Sequence, residues 1–375
     1  MLEGKNSAYT KQYNRRRMLG LLRQRPTSRA ELSRAMGLTR AAISLIADEL
    51  IAEGIIRESS AQPEFSGPGR TPTMLKICDG AYYAVGVSLR RSGCKVGLED
   101  LTGTLLASQD VDLPVQADAE QRVTRIAKGV QALLEETGLP RSRLLGVGVA
   151  APGPVDREEG LLLNPPDFPG WENCPVVSML EEKLGVPVFL ENDACAAAMY
   201  NYMEHDFPER ENFALLFVDC GVGSGIISDG KVLRSQGGFT PELGHTSIDF
   251  RGPKCSCGNR GCLERYASID RITEEFGYDS WSSLMASPDR EKALDREADY
   301  LAAGIVNLCN VVQLEAVLLG GRLHSFSTEL LPRLEARVRG RVLSRGTLRF
   351  LPALKGADAY VRSACSVAFC RFLEI

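Results

Sequence analysis

Three cysteines lie close together in the run Cys255-Ser-Cys257-Gly-Asn-Arg-Gly-Cys262, and cysteine thiolates are strong ligands for transition metals. The glycines in this run allow the tight chain reversal that a tetrahedral metal requires. His245, one of 3 histidines in the chain, lies ten residues before the first of these cysteines. Three cysteines and one histidine form a closed zinc site with no open position for a reacting water. The spacing therefore predicts a structural zinc ion bound by His245, Cys255, Cys257 and Cys262.

The remaining cysteines and histidines have no such pattern. The other eight of the 11 cysteines are spread singly along the chain, which does not indicate a disulfide framework. We expect them to be small buried hydrophobic residues. His205 and His324 have no metal-binding neighbours in the sequence, and we expect both at the surface or in loops.

Two polar residues come just after an apolar run that is typical of a buried strand. Asn192 and Asp193 follow Val186–Leu190, at the end of a strand where ligands of α/β folds bind. Amide and carboxylate groups suit a polyol, because its hydroxyls need both donors and acceptors. Asp193 has an alternative role as the N-cap of a helix at Ala194–Met199, and this role is compatible with ligand binding.

The elements that position these residues alternate between strands and helices. Short apolar runs end at glycine or polar residues and are separated by helical stretches, which indicates an α/β architecture. The predicted strands include Leu145–Ala150, Val186–Leu190, Ala214–Val218 and Ala316–Leu319, and the predicted helices include Glu120–Glu136 and Asp299–Asn310.

Composition and charge place further limits on the chain. Its 375 residues suggest two or three domains at roughly 100–200 residues per domain. No apolar stretch approaches the roughly 20 residues that span a bilayer, so we expect a cytoplasmic protein with no membrane partner. The net charge is −4, but residues 1–76 carry 13 Lys and Arg against 7 Asp and Glu. A basic segment joined to an acidic body suggests nucleic acid as a partner.

The basic segment has the pattern of a helix-turn-helix. A first helix is predicted at Asn14–Arg25, with apolar residues on one face and four arginines mainly around the other. Ser28-Arg-Ala-Glu31 is a capping box that starts a second helix, and Thr39 caps a third helix, Arg40–Glu53. Only Gly37 and Leu38 separate the second and third helices, which favours a tight crossing.

A winged form of this motif would contact DNA at two places. The start of the third helix would face base edges in the major groove. Candidate contacts are Arg29, Thr39, Arg40, Ala41 and Ser44. Gly54–Arg57 and Thr73–Ile77 are predicted hairpin strands, and Arg70 in the loop between them suits a narrow A·T-rich minor groove. The alternative is a helical bundle or protein-docking module with a solvated basic face.

Several motifs in the rest of the chain resemble those of one family. Glu242-Leu-Gly-His245, the cysteine run and Leu263-Glu264 look like the signature of the ROK family, which contains repressors, unassigned reading frames and sugar kinases. The resemblance covers residues 80–375, and further motifs in the family's order are Ala151–Val155, Pro169–Trp171, Glu191–Asp193, Gly221–Gly225 and Gly320–Gly321.

The resemblance implies a domain organisation. A winged helix-turn-helix at residues 1–79 would precede a two-lobed α/β body with an actin-like or sugar-kinase-like (ribonuclease-H-like) fold. The lobes would span about residues 80–192 and 193–375, with the last helix packing back on the first lobe. This combination resembles the repressor branch of the family.

The resemblance also implies roles for the polar residues. In the family's kinases, the residue matching Asp193 takes the proton from the sugar hydroxyl that attacks ATP, and the residue matching Asn192 binds neighbouring hydroxyls. Further sugar ligands of the family match Glu242, His245 and Glu264. His245 would therefore bind both the zinc ion and the sugar.

One departure concerns which sugar would bind. Asp167 stands where family members often have asparagine. An acid in place of an amide changes the hydroxyl patterns that can be bound, and Asn164 is the residue that could compensate. The sugar therefore does not carry over from glucose-binding relatives.

Two loops distinguish a regulator from a kinase. The family's kinases have Asp-x-Gly-Gly-Thr in the first hairpin, where backbone amides reach the ATP phosphates, and the matching run here is Ser88-Leu-Arg90-Arg91-Ser92. The second loop, Gly-Thr-Gly in kinases, is Asp219-Cys220-Gly221, whose carboxylate would repel ATP. We therefore expect no catalytic residue, with Asp193 in the position of a former kinase base.

The sequence thus predicts a sugar-responsive DNA-binding repressor, acting as a homodimer or homotetramer and released from operator DNA by a monosaccharide or derivative. Within the regulator class, transcriptional activation and a co-repressor ligand also remain open, and two alternatives lie outside that class. A sugar kinase with an appended DNA-binding module would show sugar-dependent ATP hydrolysis that Asp193→Asn abolishes. A pure interaction protein would bind neither sugar nor DNA.

Overall fold

A computed structural model describes residues 7–59, 73–91, 93–114, 116–165, 168–205, 211–235, 239–343, 347–354, 356 and 358–374. Arg70 and Asp167 lie outside these residues, so their roles stay predictions. Within the described ranges, none of the helices combines the length and the apolar character needed to span a bilayer.

Three helices and a small antiparallel sheet form the N-terminal module. The helices are α1 (Ser7–Gln24), α2 (Arg29–Met36) and α3 (Arg40–Ala52), and the strands are β1 (Thr27–Ser28), β2 (Ile56–Ser59) and β3 (Met74–Ile77), in the order β1-β3-β2. Ser28 and Glu31 form the predicted capping box, and the Thr39 hydroxyl accepts the backbone N–H of Ala42 at 3.2 Å. β2 begins two residues later than predicted, because Gly54 has a φ of 69° and turns the chain first.

A five-stranded mixed sheet is the centre of the first lobe. Its strands are β4 (Tyr83–Arg90), β5 (Gly93–Asp100), β6 (Leu105–Val111), β7 (Leu144–Ala151) and β10 (Val188–Asn192), in the order β10-β7-β4-β5-β6. A short hairpin of β8 (Val155–Asp156) and β9 (Leu161–Leu162) follows β7. α4 (Ala119–Thr137) and α5 (Val176–Leu184) cover one face of the sheet with apolar side chains. β10, β7 and β4 run parallel, whereas β4, β5 and β6 are antiparallel.

The second lobe repeats this strand arrangement. Its strands are β11 (Phe213–Val218), β12 (Val222–Ser228), β13 (Lys231–Val232), β14 (Ala316–Gly321) and β15 (Arg349–Pro352), in the order β13-β12-β11-β14-β15. β11, β14 and β15 run parallel, and β11, β12 and β13 are antiparallel. The remaining helices are α6 (Asp193–Glu204), α7 (Glu264–Ala267), α8 (Ile269–Glu275), α9 (Trp281–Met285), α10 (Arg290–Val311), α11 (Ser327–Val338) and α12 (Ala359–Leu373). The predicted α/β fold class is confirmed.

Helices α6 and α12 pack on each other between the two sheets. α12 lies on β4 and β7, where a Cβ on Gly148 would overlap the carbonyl oxygen of Ala364. α6 lies on β11 and β12, where a Cβ on Gly225 would overlap the carbonyl oxygen of Ala194. These positions therefore require glycine, because any side chain would push a helix away from its sheet.

Arg23 of α1 connects the N-terminal module to the body. Its side chain is 3% exposed, and its guanidinium donates to Glu99 of β5 at 2.9 Å and to Glu204 at the end of α6 at 2.5 Å. Arg362 of α12 donates to the second oxygen of Glu99 at 3.1 Å. Loss of one partner from a buried ion pair leaves an uncompensated charge, so these four residues, the Arg23 cluster, fix α1 against the body. Arg23 is one of the four arginines that the sequence placed on the polar face of the first helix.

The close approach of α12 to the first sheet can be tested by adding one methyl group. We expect Gly148→Ala to lower the free energy of unfolding by about 1–3 kcal/mol, because overpacking forces the helix and sheet apart. Gly20→Ala in the middle of α1 is the control: a Cβ there meets nothing within 4 Å, and alanine should stabilise the helix by about 0.5–1 kcal/mol. Urea denaturation followed by circular dichroism measures both changes. An unchanged midpoint for Gly148→Ala would contradict the packing.

Candidate functional site

A cavity of 490 Å³ lies in the cleft between the two lobes. It lies at the carboxyl ends of β4, β7 and β10, the edge at which α/β folds bind ligands. All five of the following predicted sugar ligands line this cavity: Asn192, Asp193, Glu242, His245 and Glu264. The fold thus brings into one space residues that are distant in sequence.

Asn192 is fixed by the start of α6. Its Oδ1 accepts the backbone N–H groups of Ala194 at 2.9 Å and Cys195 at 3.2 Å, so Asn192 is the N-cap. The alternative role of Asp193 as the N-cap was wrong. Asn192 Nδ2 lies 2.8 Å from the position that a Cβ on Gly153 would occupy. Because Gly153 has no side chain, the amide donors of Asn192 face the cavity.

Asp193 is the first residue of α6, and its carboxyl group lies in the cavity. Burial raises the pKa of this carboxyl to about 7; Glu242 and Asp219 add to the rise, and Arg91 opposes it. Near neutral pH the group is therefore divided between its protonated and ionised forms. In the ionised form it can accept a hydrogen bond or a proton from a hydroxyl group held against it.

Glu191 anchors the strand end that carries Asn192 and Asp193. Its side chain is 1% exposed, and Arg234 donates to its two oxygens at 3.0 and 2.6 Å. Glu191 Oε1 also accepts the backbone N–H of Asn192 at 3.0 Å. The sequence did not predict this role for Arg234, because the pairing depends on a tertiary contact. The available signal was a charged residue directly after the apolar run Val186–Leu190.

Glu242 and Glu264 reach the cavity from the second lobe. Glu242 Oε1 lies 3.4 Å from the position of a Cβ on Gly153, and burial raises the pKa of the Glu242 carboxyl. Glu264 begins α7, and its Oε2 accepts the backbone N–H of Val222 at 3.0 Å. Amide donors and carboxylate acceptors therefore converge on one space, as a compound with several hydroxyl groups requires.

A cluster of four potential metal ligands adjoins the cleft. The ligand atoms of His245, Cys255, Cys257 and Cys262 all lie within 4.8 Å of one another. The sulfurs of Cys257 and Cys262 are 3.7 Å apart, and His245 Nδ1 is 3.6 Å from the sulfur of Cys255. A tetrahedral ion at about 2.3 Å from each sulfur holds two sulfurs about 3.8 Å apart. The cluster can therefore hold a metal ion.

Three arginines form another part of the cavity wall. Arg90 ends β4, and its guanidinium carbon lies 4.8 Å from the centre of the Tyr360 ring. Arg91 follows in the turn, and Arg322 Nη1 lies 3.6 Å from Asp219. Arg90 and Arg91 are the two residues that the sequence resemblance matched to the glycines of the kinase loop. Arg322 and Tyr360 were not predicted. Arg322 directly follows the Gly320-Gly321 motif, which was the available signal, whereas Tyr360 belongs to no local motif.

The exposed surface of α3 carries most of the predicted DNA contacts. Arg40 and Ala41 are exposed and Ser44 is half-buried, whereas Thr39 caps the helix. Leu45, which is 63% exposed, lies on the same surface and was not predicted. Its position four residues after Ala41, on the same helical face, was the signal that could have identified it.

Arg29 differs from these residues because it pairs within the module. Its guanidinium donates to Asp48 at 2.7 Å and to Glu58 at 3.2 Å. Both carboxylates are exposed, so these ion pairs contribute little to stability but neutralise part of the charge of Arg29. A direct DNA contact by Arg29 stays a prediction.

The structure also shows where Asn164, the scattered cysteines and the two remaining histidines lie. Asn164 is exposed and is not part of the cavity wall, so its sugar contact stays a prediction. Six of the eight scattered cysteines are buried as expected and Cys78 is half-buried, but Cys220 is exposed at the cavity, where the expectation was wrong. His205 and His324 are half-buried, at the end of α6 and in a 3-10 turn.

Comparisons with known proteins identify the family to which the chain belongs. The xylose repressor of Bacillus subtilis is 30% identical over 99% of this chain and 98% of its own length. The glucokinase of Thermotoga maritima is 29% identical over 76% of this chain and 96% of its own length. A crystal structure of a ROK family transcriptional regulator, a homolog of the E. coli Mlc protein, is 26% identical, covers 97% of both chains and has a TM-score of 0.79. The ROK family profile matches residues 84–359, and the chain therefore belongs to the ROK family.

Proposed function

We propose that the protein is a DNA-binding transcriptional repressor that leaves its operator when a monosaccharide or a derivative binds in the cleft. The observation that carries this proposal is the path of α6. This helix begins at the cleft with Asp193 and ends at Glu204, which binds Arg23 of the N-terminal module. A ligand at one end of α6 can therefore act on a contact of the DNA-binding module at the other end. Similarity to the xylose repressor along nearly the whole chain supports the same function.

In the proposed complex, sugar hydroxyls donate to the carboxylates of Asp193, Glu242 and Glu264 and accept from Asn192 Nδ2. Hydrogen bonds to ionised acceptors are stronger than those between neutral groups, so the carboxylates would dominate the affinity. His245 directs Nδ1 towards Cys255, which leaves Nε2 for a sugar hydroxyl. The metal ion and the sugar would then share one imidazole ring.

In the proposed DNA complex, α3 lies in the major groove with Arg40, Ala41 and Ser44 near the base edges. Leu45 adds an apolar surface that suits a thymine methyl group. Arg70 remains the candidate for the minor groove. A homodimer or homotetramer would present two modules to half-sites one or two helical turns apart, and binding to operator DNA places the protein in the cytoplasm.

The arginine wall favours a regulator over a kinase. A kinase needs close backbone contact with the ATP phosphates and a carboxylate that helps to bind magnesium. Here Arg90 and Arg91 occupy the first loop, and Ser88, which is buried, replaces its acid. Asp219 adds a carboxylate in the second loop, where it disfavours a polyphosphate. Retention of Asp193 is compatible with sugar binding alone.

We also propose that the four-residue cluster holds zinc in a structural role, because three cysteines and one histidine leave no open coordination position. The ion would tie the turn that carries His245 to Cys262, which lies two residues before Glu264. Zinc would thereby set the positions of two sugar ligands as well as stabilise the second lobe.

Sugar binding should weaken operator binding by about 5–150-fold, the usual range of allosteric coupling. Fluorescence anisotropy of an operator fragment selected from a random DNA library, with and without a sugar identified by thermal shift, measures the factor. By linkage, operator DNA must weaken sugar binding equally. Arg40→Ala should lose DNA affinity but keep the sugar-induced rise in melting temperature. Equal operator affinity with and without bound sugar would exclude the proposal.

Cys257→Ser should release the metal ion and lower the melting temperature, because metal binding contributes directly to the stability of such a site. Cys220→Ser is the matched control, since Cys220 is exposed and lies outside the cluster. Metal content by mass spectrometry and differential scanning calorimetry provide the readouts. Retained zinc with an unchanged melting temperature in Cys257→Ser would refute a structural role.

Sugar affinity should rise roughly tenfold between pH 6 and pH 8, because Asp193 loses its proton over this range. Burial raises the pKa of this carboxyl to about 7, and a sugar hydroxyl donates to its ionised form, so binding strengthens as the proton leaves. Isothermal titration calorimetry across this range measures the change. Asp193→Asn should bind more weakly and lose most of the pH dependence. If sugar affinity rises equally steeply with pH in Asp193→Asn, a group other than Asp193 causes the pH dependence.

A further inference from the structure

The arginines in the cleft are not explained by the binding of a neutral sugar. Arg90, Arg91 and Arg322 line the same 490 Å³ cavity as the proposed polyol ligands. Neutral hydroxyl groups need no permanent cation, and a buried cation is costly unless an opposite charge compensates it. The partners of each arginine therefore indicate what else the cavity could bind.

Two of these cations have acidic neighbours. Arg322 Nη1 lies 3.6 Å from Asp219. Arg91 Nη1 lies 3.5 Å from the position of a Cβ on Gly221, and Glu264 Oε2 lies 2.6 Å from the same position. Arg322 and Arg91 thus have local charge compensation, although Arg91 is exposed and can also reach a ligand.

Arg90 lacks such compensation. Its Nε is buried and makes no hydrogen bond, and among the described residues no acid forms an ion pair with it. Its contact is the face of the Tyr360 ring, with a distance of 4.8 Å from the guanidinium carbon to the ring centre. A cation over an aromatic ring is stabilised by only about 0.5–2 kcal/mol, and its hydrogen-bond donors remain available. Arg90 is therefore held in place by Tyr360 with donors left for a ligand.

We propose that the cleft binds an oxyanion together with the sugar ring, and that the effector is a monosaccharide phosphate whose phosphate group contacts Arg90 and Arg91. This inference rests on the proposed sugar-binding function and specifies its ligand class. Two guanidinium groups that line one cavity offer several donors, and a phosphate has three oxygens to accept them, whereas a carboxylate has two. A cavity of this volume is within the usual range for small-molecule sites.

The position of the arginines orients the ligand. Arg91 and Asp193 line the same cavity, and the positive charge of Arg91 lowers the pKa of Asp193. A sugar ring whose hydroxyls bind Asp193 and the other polyol ligands would direct a further substituent towards Arg90 and Arg91. The site would thereby recognise the sugar after phosphorylation at that position. The chemistry that supplies such a ligand is a phosphoryl transfer to a sugar hydroxyl.

Calorimetric titration of the full-length, zinc-loaded protein tests this inference with matched probes. The probes are glucose, mannose and N-acetylglucosamine, their 6-phosphates, and each neutral sugar with added inorganic phosphate. The variants are Arg90→Gln, Arg91→Gln and the double variant. Arg339→Gln is the control, since Arg339 is a 78% exposed arginine at the end of α11, outside the cavity wall. Zinc content and circular dichroism establish that each variant is folded.

At least one 6-phosphate should bind tenfold or more tightly than its parent sugar and should release operator DNA. The double variant should remove this advantage, with only a small effect on the parent sugar, and Arg339→Gln should retain it. If a neutral sugar gains affinity only with inorganic phosphate, and the double variant abolishes the gain, the oxyanion site is supported with free phosphate as its source.

Two results would overturn the oxyanion site. A neutral sugar that binds as tightly as its phosphate and releases operator DNA would refute it while leaving the repressor function intact. A phosphate advantage that survives in the folded double variant would place the anion elsewhere. If no probe binds and no probe affects operator affinity, the proposed function fails as well.

Discussion

The contact between α6 and α12 is the constraint on which the other features depend. Each helix lies on one sheet at a distance that only glycine permits, as at Gly148 and Gly225, so neither can shift without moving its lobe. Much of α6 consists of small buried residues, including Ala194 and Ala196–Ala198, which bring its backbone close to its neighbours. A displacement at the start of α6 would therefore move the helix as a rigid element, because this packing leaves little room for local side-chain rearrangement.

Both ends of α6 carry polar groups whose partners belong to other parts of the molecule. At the cleft, Asn192 and Asp193 meet Glu242 and Glu264 of the second lobe. At the far end, Glu204 joins the Arg23 cluster, in which the other three residues come from α1, β5 and α12. Arg23 and Glu99 are almost fully buried, so a small separation from their partners would leave their charges without solvent or compensation. The cluster is thus suited to link the position of α6 to that of the N-terminal module.

Features that depend on local chemistry could be predicted from the sequence, and features that depend on long-range contacts could not. The capping residue Thr39 correctly predicted the start of α3, and the cysteine run correctly predicted that three potential metal ligands lie together. Both features depend on interactions between residues that are close in sequence. The strand start at Gly54 was misplaced by two residues, because a positive φ is not evident from glycine alone. The burial of Arg23 was not predictable either, since its partner Glu204 lies 181 residues away.

The cleft differs from the phosphate-binding loops of the family's kinases in the type of group that faces the ligand. A glycine loop binds phosphate through backbone amides, which hold a polyphosphate in one fixed position and so suit transfer of a phosphoryl group. In the proposed oxyanion site, Arg90 and Arg91 would instead bind phosphate through charged side chains, which do not hold it in one orientation for transfer. A sensor requires only that its ligand favours one arrangement of the lobes, so a reversible contact between side chains of both lobes and the ligand is sufficient. In the proposed sugar complex, Asp193 would need no metal or ATP beside it, because a hydrogen bond from a hydroxyl would contribute to binding whether or not the proton is transferred.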